Sequence, residues 1–350
     1  MRKFFLGMAD ELLIVEETTE GFAASAHLQG TQPVHLAVDP QDEQVLYCAA
    51  YGNGLWKSED GGRNWRAIGQ PNRYHGSVKG HGISSPFLTF VAVHPNRKSV
   101  VYAGTEPSAV YCSEDGGVKW TEFKNIQLLP SKDTWQFPPR PFTHHVRWIT
   151  PSLLNDNHLY VSIEFGAFIR TTDHGKTWQD RPLVSPLDTH TLLTHPEAPG
   201  RLYAAAGDGL LHKGHSYAES EDGGANWTYK SEGLEAHPYL YNMVLHPENP
   251  DDRLVSASKN AQQAHAYPQY STVYRKTGDG PWKECAAGLP CEGSYSHELA
   301  ADPKEPGVFY ALNNQGLYQL RPEDSEWRKL DLEWKGKYDR QHPSFLVVLG

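Results

Sequence analysis

The sequence predicts an all-β fold, a seven-bladed β-propeller of four-stranded antiparallel blades, from two repeated phrases that run in step. An eight-residue phrase, Ser58-Glu-Asp-Gly-Gly-Arg-Asn-Trp65, returns with small changes at 113–120, 171–178 and 220–227. An apolar residue, a variable residue and proline return at Val38-Asp-Pro40, Val93-His-Pro95, Ile149-Thr-Pro151, Leu245-His-Pro247 and Ala301-Asp-Pro303; Thr194-His-Pro196 departs in its first residue. The prolines lie 55, 56, 45, 51 and 56 residues apart. A period near 50 marks a stacked repeat, because one such unit cannot bury its own apolar face and must pack on the next.

Within each unit the proline ends a first strand. A β-rich run follows, such as Val45-Leu-Tyr-Cys-Ala-Ala50 or Val100-Val-Tyr-Ala103, then a glycine-bearing turn and further strands. Residues 33–342 hold six units. The C-terminal run Ser344-Phe-Leu-Val-Val-Leu349 reads as one more innermost strand, and residues 4–8, 11–16 and 22–28 read as the outer strands of that same blade. Residues 1–32 and 343–350 are therefore expected to build a closing blade, which removes the free sheet edges of an open array. All 350 residues then form a single domain. Six blades with a small N-terminal sheet is the alternative.

Bulk composition narrows the partners. Lys and Arg total 32 against 42 for Asp and Glu, a net charge of -10. The basic excess that nucleic-acid backbones or anionic membranes require is absent. No apolar run is long enough for membrane insertion, and Asp10 and Glu11 interrupt the apolar start before a secretory core forms. Cys48, Cys112, Cys285 and Cys291 form no C-x-x-C pair and are read as small buried thiols, which fits a cytoplasmic protein.

The pattern Ser/Thr-x-Asp-x-Gly-x-x-Trp occurs at Ser58, Asp60, Gly62 and Trp65; Ser113, Asp115, Gly117 and Trp120; Thr171, Asp173, Gly175 and Trp178; and Ser220, Asp222, Gly224 and Trp227. Its chemistry is that of a tight turn, with hydroxyl and carboxylate bonding nearby backbone and glycine supplying a positive φ. The pattern resembles the Asp-box (BNR) repeat superfamily, which includes sialidases, xyloglucan-degrading glycosidases, sortilin-type receptors and a photosystem assembly factor. The resemblance implies boxes between the third and fourth strands of each blade, on the face opposite the ligand, so these aspartates are read as turn formers. The boxes degrade to Thr277-Gly-Asp279-Gly-Pro-Trp282 and Pro322-Glu-Asp324-Ser-Glu-Trp327, whose turns should differ in shape. Sialidase chemistry is not implied, since the chain lacks an Arg-Ile-Pro stretch. The xyloglucan enzymes place two propellers across a groove, and this sequence supplies one.

In a propeller the starts of the innermost strands and the loops between second and third strands meet at one mouth of the channel, where a site is expected. Reading back from each proline, the mouth-facing residues are His35, His144, His145, Arg147, His190, Tyr239, Tyr241, His297 and Glu298. The adjoining loops add Tyr51, Glu106, Glu164 and Asp208. Long insertions at 69–88, with His81, and at 127–143, with Trp135, Phe137 and Arg140, are expected to form lids on that side. Enlarged loops at 207–219 and 258–272 should join them. The leading expectation is a small polar or carbohydrate-like ligand, or a protein partner, held by His35, His81, His145, Arg147, His190, Tyr241 and His297. The alternative is an enzyme. In one form His35, His145, His190 and His297 hold a divalent transition metal for a lyase or hydrolase, with Arg147 as anion clamp and Glu106, Glu164 or Glu298 as acid/base. In the other, Glu106 and Glu164 from adjacent blades, with Asp208 and Glu298 behind them, serve a glycoside hydrolase. Phosphate-loop and dinucleotide fingerprints are missing, which disfavours nucleotide chemistry.

Overall fold

The computed structural model describes residues 1–69 and 82–350. Its strands form seven sheets around a channel, and the innermost strands in chain order are Pro33–Asp39, Leu88–Val93, Val146–Pro151, Thr189–His195, Tyr239–His246, Glu298–Ala301 and Phe345–Leu349. Six sheets have four antiparallel strands. Blade three has three, and its fourth segment is reduced to a single bridge between Arg170 and Gln179. Pro182, which has no N–H to give a ladder, follows closely after that bridge.

The seventh blade closes as the termini suggested. The C-terminal strand Phe345–Leu349 lies innermost and pairs antiparallel with Lys3–Gly7, with Lys3 opposite Leu349 and Gly7 opposite Phe345. Leu12–Thr18 and Gly21–His27 complete the sheet. The closure is reinforced by the Tyr338 hydroxyl, which donates to Glu11 Oε1 at 2.7 Å, and by Ser344 Oγ, which donates to Pro33 O at 2.7 Å.

The core is partitioned as the repeat demands. Among the described residues it falls into seven apolar clusters, each at the interface of two neighbouring blades. The recurrent tryptophans join them: Trp120 packs between blades one and two, Trp227 between three and four, Trp282 between four and five, and Trp327 between five and six. Burying side chains of this size is the largest apolar gain per residue available to a blade interface. The thiols are all free, with Cys48 and Cys112 buried and Cys285 and Cys291 only half-buried.

The hydroxyl–carboxylate core of the boxed turns repeats in all four, while the indole N–H of Trp178 alone among them has no partner. Ser58 Oγ donates to Asp60 Oδ1 at 2.9 Å and accepts from the Gly62 N–H at 2.8 Å, and the Asn64 N–H donates to Asp60 Oδ1 at 2.9 Å. Equivalent bonds join Ser113 with Asp115, Thr171 with Asp173 and Ser220 with Asp222. The Asn64 backbone and side-chain amides hold the Asp60 carboxyl down at about 2, so it is committed to the turn. In these boxes the indole N–H of Trp65, Trp120 and Trp227 donates within its own turn, to Gly62, Gly117 and Gly224. The degraded boxes do differ: Trp282 and Trp327 donate instead to Lys230 O and Cys285 O of the preceding blade. Each good box also donates an N–H to the turn joining the first two strands of its blade, as Gly61 does to Gln44 O, which places the boxes on the face away from the mouth. On that same face His195 and His246 end their innermost strands and His94 directly follows its own; His94 Nδ1 accepts from the Asn96 and Arg97 N–H groups at 3.1 Å.

Candidate functional site

Five innermost strands begin with a β-bulge, and the bulges build the mouth. In blade one Pro33 pairs with Ala50 and His35 with Ala49, leaving Val34 unpaired; the same skip leaves Thr89, Arg147 and His190 unpaired in blades two, three and four. In blade five the skip falls on Tyr241 and Asn242. A bulge re-aims the extra residue and shifts the faces of its neighbours. Val34, Thr89, Arg147 and Tyr241 all line a cavity of 570 Å³ at the channel mouth.

The expected loops close around this cavity. Residues 127–143 fold over it through two short 3-10 turns, Lys124–Leu128 and Pro130–Thr134, anchored by buried Trp135, and present Phe137, Pro138, Pro139 and Arg140. Leu210 and Leu211 come from the loop after Ala198–Ala206, and Ala261 and His265 from the short helix Ala261–His265. Of the other insertion, the part that carries His81 lies outside the described residues.

Glu164 organises the polar wall. It follows the second strand of blade three, Leu159–Ile163, and its Oε2 lies 2.9 Å from His145 Nε2 and 3.3 Å from Arg147 Nε. Burial opposes charge on Glu164, but His145, His190 and Arg147 outweigh it and hold the carboxyl well below the ordinary range. Arg147 also stacks over Tyr241, its guanidinium carbon 4.9 Å from the ring centre. Across the cavity Glu106 is paired with Arg140 at 2.6 Å, and Arg140 lies between the Tyr51 and Phe137 rings.

Asp188, unremarked in the sequence, is the third carboxylate on the cavity. It precedes Thr189–His195, and the signal was its place two residues before mouth-facing His190. Its backbone N–H donates to the buried Asp208 carboxylate, as does that of Leu187 at 2.8 Å. Burial, with Asp188 as neighbour, pushes the Asp208 carboxyl up to about 6. His190 Nδ1 bonds Leu240 O at 2.6 Å, while its Nε2 lies 3.5 Å from Asp188 and 3.9 Å from Glu164. Burial opposes a charge on His190, and the two carboxylates overcome it and raise its affinity for a proton.

The four-histidine metal ring is not formed. His35, displaced by the blade-one bulge, stacks on Phe90 with ring centres 3.7 Å apart and meets Trp148 edge-on; burial there lowers its proton affinity to about 3. His297 is fully buried, bonding Ser271 O at 3.1 Å and Asn313 at 3.2 Å. Neither belongs to the cavity lining, and nor does His190, which lies buried behind it, so all three leave the set of residues that touch a ligand in the cavity. Among the described residues the one group of three or more His, Cys, Asp or Glu with donor atoms inside 4.8 Å is Glu164, Asp188 and His190. Glu298 lies outside the cavity lining too. Its Oε2 accepts from Asn242 at 2.8 Å, its Oε1 has no partner, and burial pushes the carboxyl up to about 8 against the opposing Arg147. A further wall comes from His265, bonded at 2.8 Å to His342, a residue the sequence reading passed over.

No family model matches the chain. Over 266 residues it is 26% identical to a xyloglucanase of Paenibacillus sp, covering 66% of this chain and 24% of that protein. Over 288 residues it is 24% identical to Xyloglucanase Xgh74A of Acetivibrio thermocellus, covering 71% and 32%. The chain thus spans a quarter to a third of these relatives. Among solved structures, the GH74 xyloglucanase from Xanthomonas campestris matches 93% of this chain and 53% of its own with a TM-score of 0.67 at 15% identity. YCF48 bound to a D1 peptide matches 89% and 83% with a TM-score of 0.58 at 16% identity. The chain is a seven-bladed β-propeller, the fold it shares with these GH74 and YCF48 structures.

Proposed function

We propose that the mouth binds a saccharide and that the protein is a glycoside-hydrolase-type propeller. The observation that carries this is one cavity in which a carboxylate fixed in its ionised form, Glu164, stands among further carboxylates, Glu106 and Asp188, and aromatic walls of Tyr51, Phe137, Tyr239 and Tyr241. A sugar has a polar edge of hydroxyls and apolar C–H faces. Carboxylates and Arg147 suit the edge, and aromatic rings suit the faces. Hydrolysis needs a group that stays ionised beside the ring as positive charge grows and another that moves a proton to the leaving oxygen. Glu164 fits the first role; the second falls to Glu106 or Asp188. Sequence similarity to two xyloglucanases supports the same class.

The test is release of reducing ends from xyloglucan and related β-glucan oligosaccharides, together with calorimetric binding of the same panel. Cleavage that Glu164→Gln reduces at least 100-fold, or binding that it reduces at least tenfold, supports the reading; a panel neither bound nor cleaved overturns it.

A second reading, docking of a protein segment across the mouth, is favoured by exposed Phe142, Leu183, Leu210, Leu211 and Tyr267 on the mouth-side loops. It expects pull-down of a polypeptide that Leu210→Asp with Leu211→Asp abolishes, with saccharide binding unaffected.

A further inference from the structure

We propose that Glu164, Asp188 and His190 hold one divalent transition-metal ion at the wall of the cavity. The three donors converge from two adjacent blades, with His190 Nε2 3.5 Å from Asp188 Oδ1 and 3.9 Å from Glu164 Oε1. Charge-assisted N–H···O bonds close to about 2.7–2.9 Å, so a proton on Nε2 leaves both carboxylates too far away. Donors about 2.0–2.2 Å from a tetrahedral ion stand about 3.3–3.6 Å from one another, which is the spacing nearest to that found.

Each ligand is held by a second contact; His190 Nε2 also lies 3.4 Å from the Tyr239 hydroxyl, a contact that an ion would replace. A carbonyl oxygen only accepts, so the 2.6 Å contact to Leu240 O puts the proton of His190 on Nδ1 and turns the Nε2 lone pair toward the carboxylates. Glu164 has Oε2 taken by His145 and Arg147, with Oε1 toward His190. Asp188 is fixed through its backbone N–H to Asp208. Gly207 gives the site room, because a Cβ there would lie 2.1 Å from Asp188 Oδ2. His190 is 1% exposed, so the imidazole has no route to solvent for its second nitrogen.

The charges point the same way. Glu164 and Asp188 face each other with Asp208 directly behind, and a doubly charged ion between them relieves that repulsion. One imidazole with two carboxylates suits zinc, manganese or iron(II) better than soft copper(I), and three protein ligands leave a coordination position. Since Glu164 and Asp188 line the cavity, that position opens toward the ligand space. Binding of the ion does not depend on the saccharide reading. What the ion does there rests on it: with Asp188 as a ligand, the proton-moving role falls to Glu106.

The experiment uses untagged protein stripped with EDTA and titrated calorimetrically with Zn²⁺ and with Mn²⁺, without saccharide, alongside elemental analysis of protein as purified. One equivalent of either ion at micromolar affinity or tighter is expected. Asp188→Asn and His190→Gln should each weaken it at least 100-fold, His145→Ala about tenfold through Glu164, and the remote His174→Gln not at all. Circular dichroism checks each variant's fold, and should His190→Gln fail to fold, cavity-facing Asp188→Asn decides. Wild-type protein that binds neither ion, or binding that survives in Asp188→Asn, overturns the proposal. A saccharide panel that fails while the ion binds counts against the hydrolase reading alone.

Discussion

His145 Nε2 and Glu164 Oε2 lie 2.9 Å apart, joining the residue that enters the innermost strand of blade three to the residue that leaves its partner strand. Because Arg147 shares the same carboxylate oxygen, the contact fixes both the charge and the direction of Glu164. Glu164→Gln is therefore expected to lower kcat/KM on a cleaved saccharide at least 100-fold while the protein stays folded. Steady-state kinetics with a thermal melt of the same sample checks this; retention of a tenth of wild-type activity contradicts it.

Glu298 gives stability a pH dependence. Burial raises its folded carboxyl to about 8, whereas the unfolded chain titrates near 4.3. Between those values the native state keeps a proton that the unfolded state has lost, so this group's contribution falls as pH rises through that window and is level above it. Glu298→Gln retains a side-chain acceptor for Asn242 and removes the slope. It should match wild type near pH 4.5 and exceed it at pH 8.5, by at most about 5 kcal/mol, as read by urea unfolding at the two pH values.

Between blades four and five, Glu219 collects Arg253 at 2.6 Å, Arg201 and Lys230 at 2.7 Å and the Tyr217 hydroxyl at 2.8 Å. Arg253 is fully buried, so Glu219→Gln leaves a charge without its counter-ion at a cost of about 3–5 kcal/mol. Urea unfolding at pH 7 should show a loss of that size. A change below 1 kcal/mol would mean that Asp251, 3.4 Å from Arg253, suffices.

The boxed turns can be separated into strain and packing. Gly224 has φ +84° and a Cβ there would lie 2.3 Å from the Phe168 ring; Gly30 has φ +78° with nothing within 4 Å. Alanine at either position bears the left-handed penalty of about 1–2 kcal/mol. Gly224→Ala should then be less stable than Gly30→Ala by a further 1–3 kcal/mol or so from overpacking, as paired denaturation curves will show.

The blade count and the ring closure were legible because phrases repeated at fixed spacing report packing that every unit shares. Phe345–Leu349 could be matched to missing outer strands before any coordinates. The mouth was legible in place but not in detail. Glu106, His145, Arg147, Glu164 and Tyr241 do meet there. His35 and His297 do not, since alternation along a strand locates a side chain only while register holds, and the skip at Val34 turns His35 into the blade interface. Bulges leave no mark in a single sequence. Asp188 escaped for a related reason: it lies before its strand, and its place in the site depends on Asp208 gripping the backbone from another loop.

The most direct measurement is a crystal structure of the protein soaked with a xyloglucan oligosaccharide at saturating concentration. Sugar density in the mouth cavity, with hydroxyls on Glu164 and Arg147 and a ring face against Tyr241 or Phe137, is the result expected. An empty mouth at saturation, or sugar seated only on the face of the boxed turns, would contradict the assignment of this site.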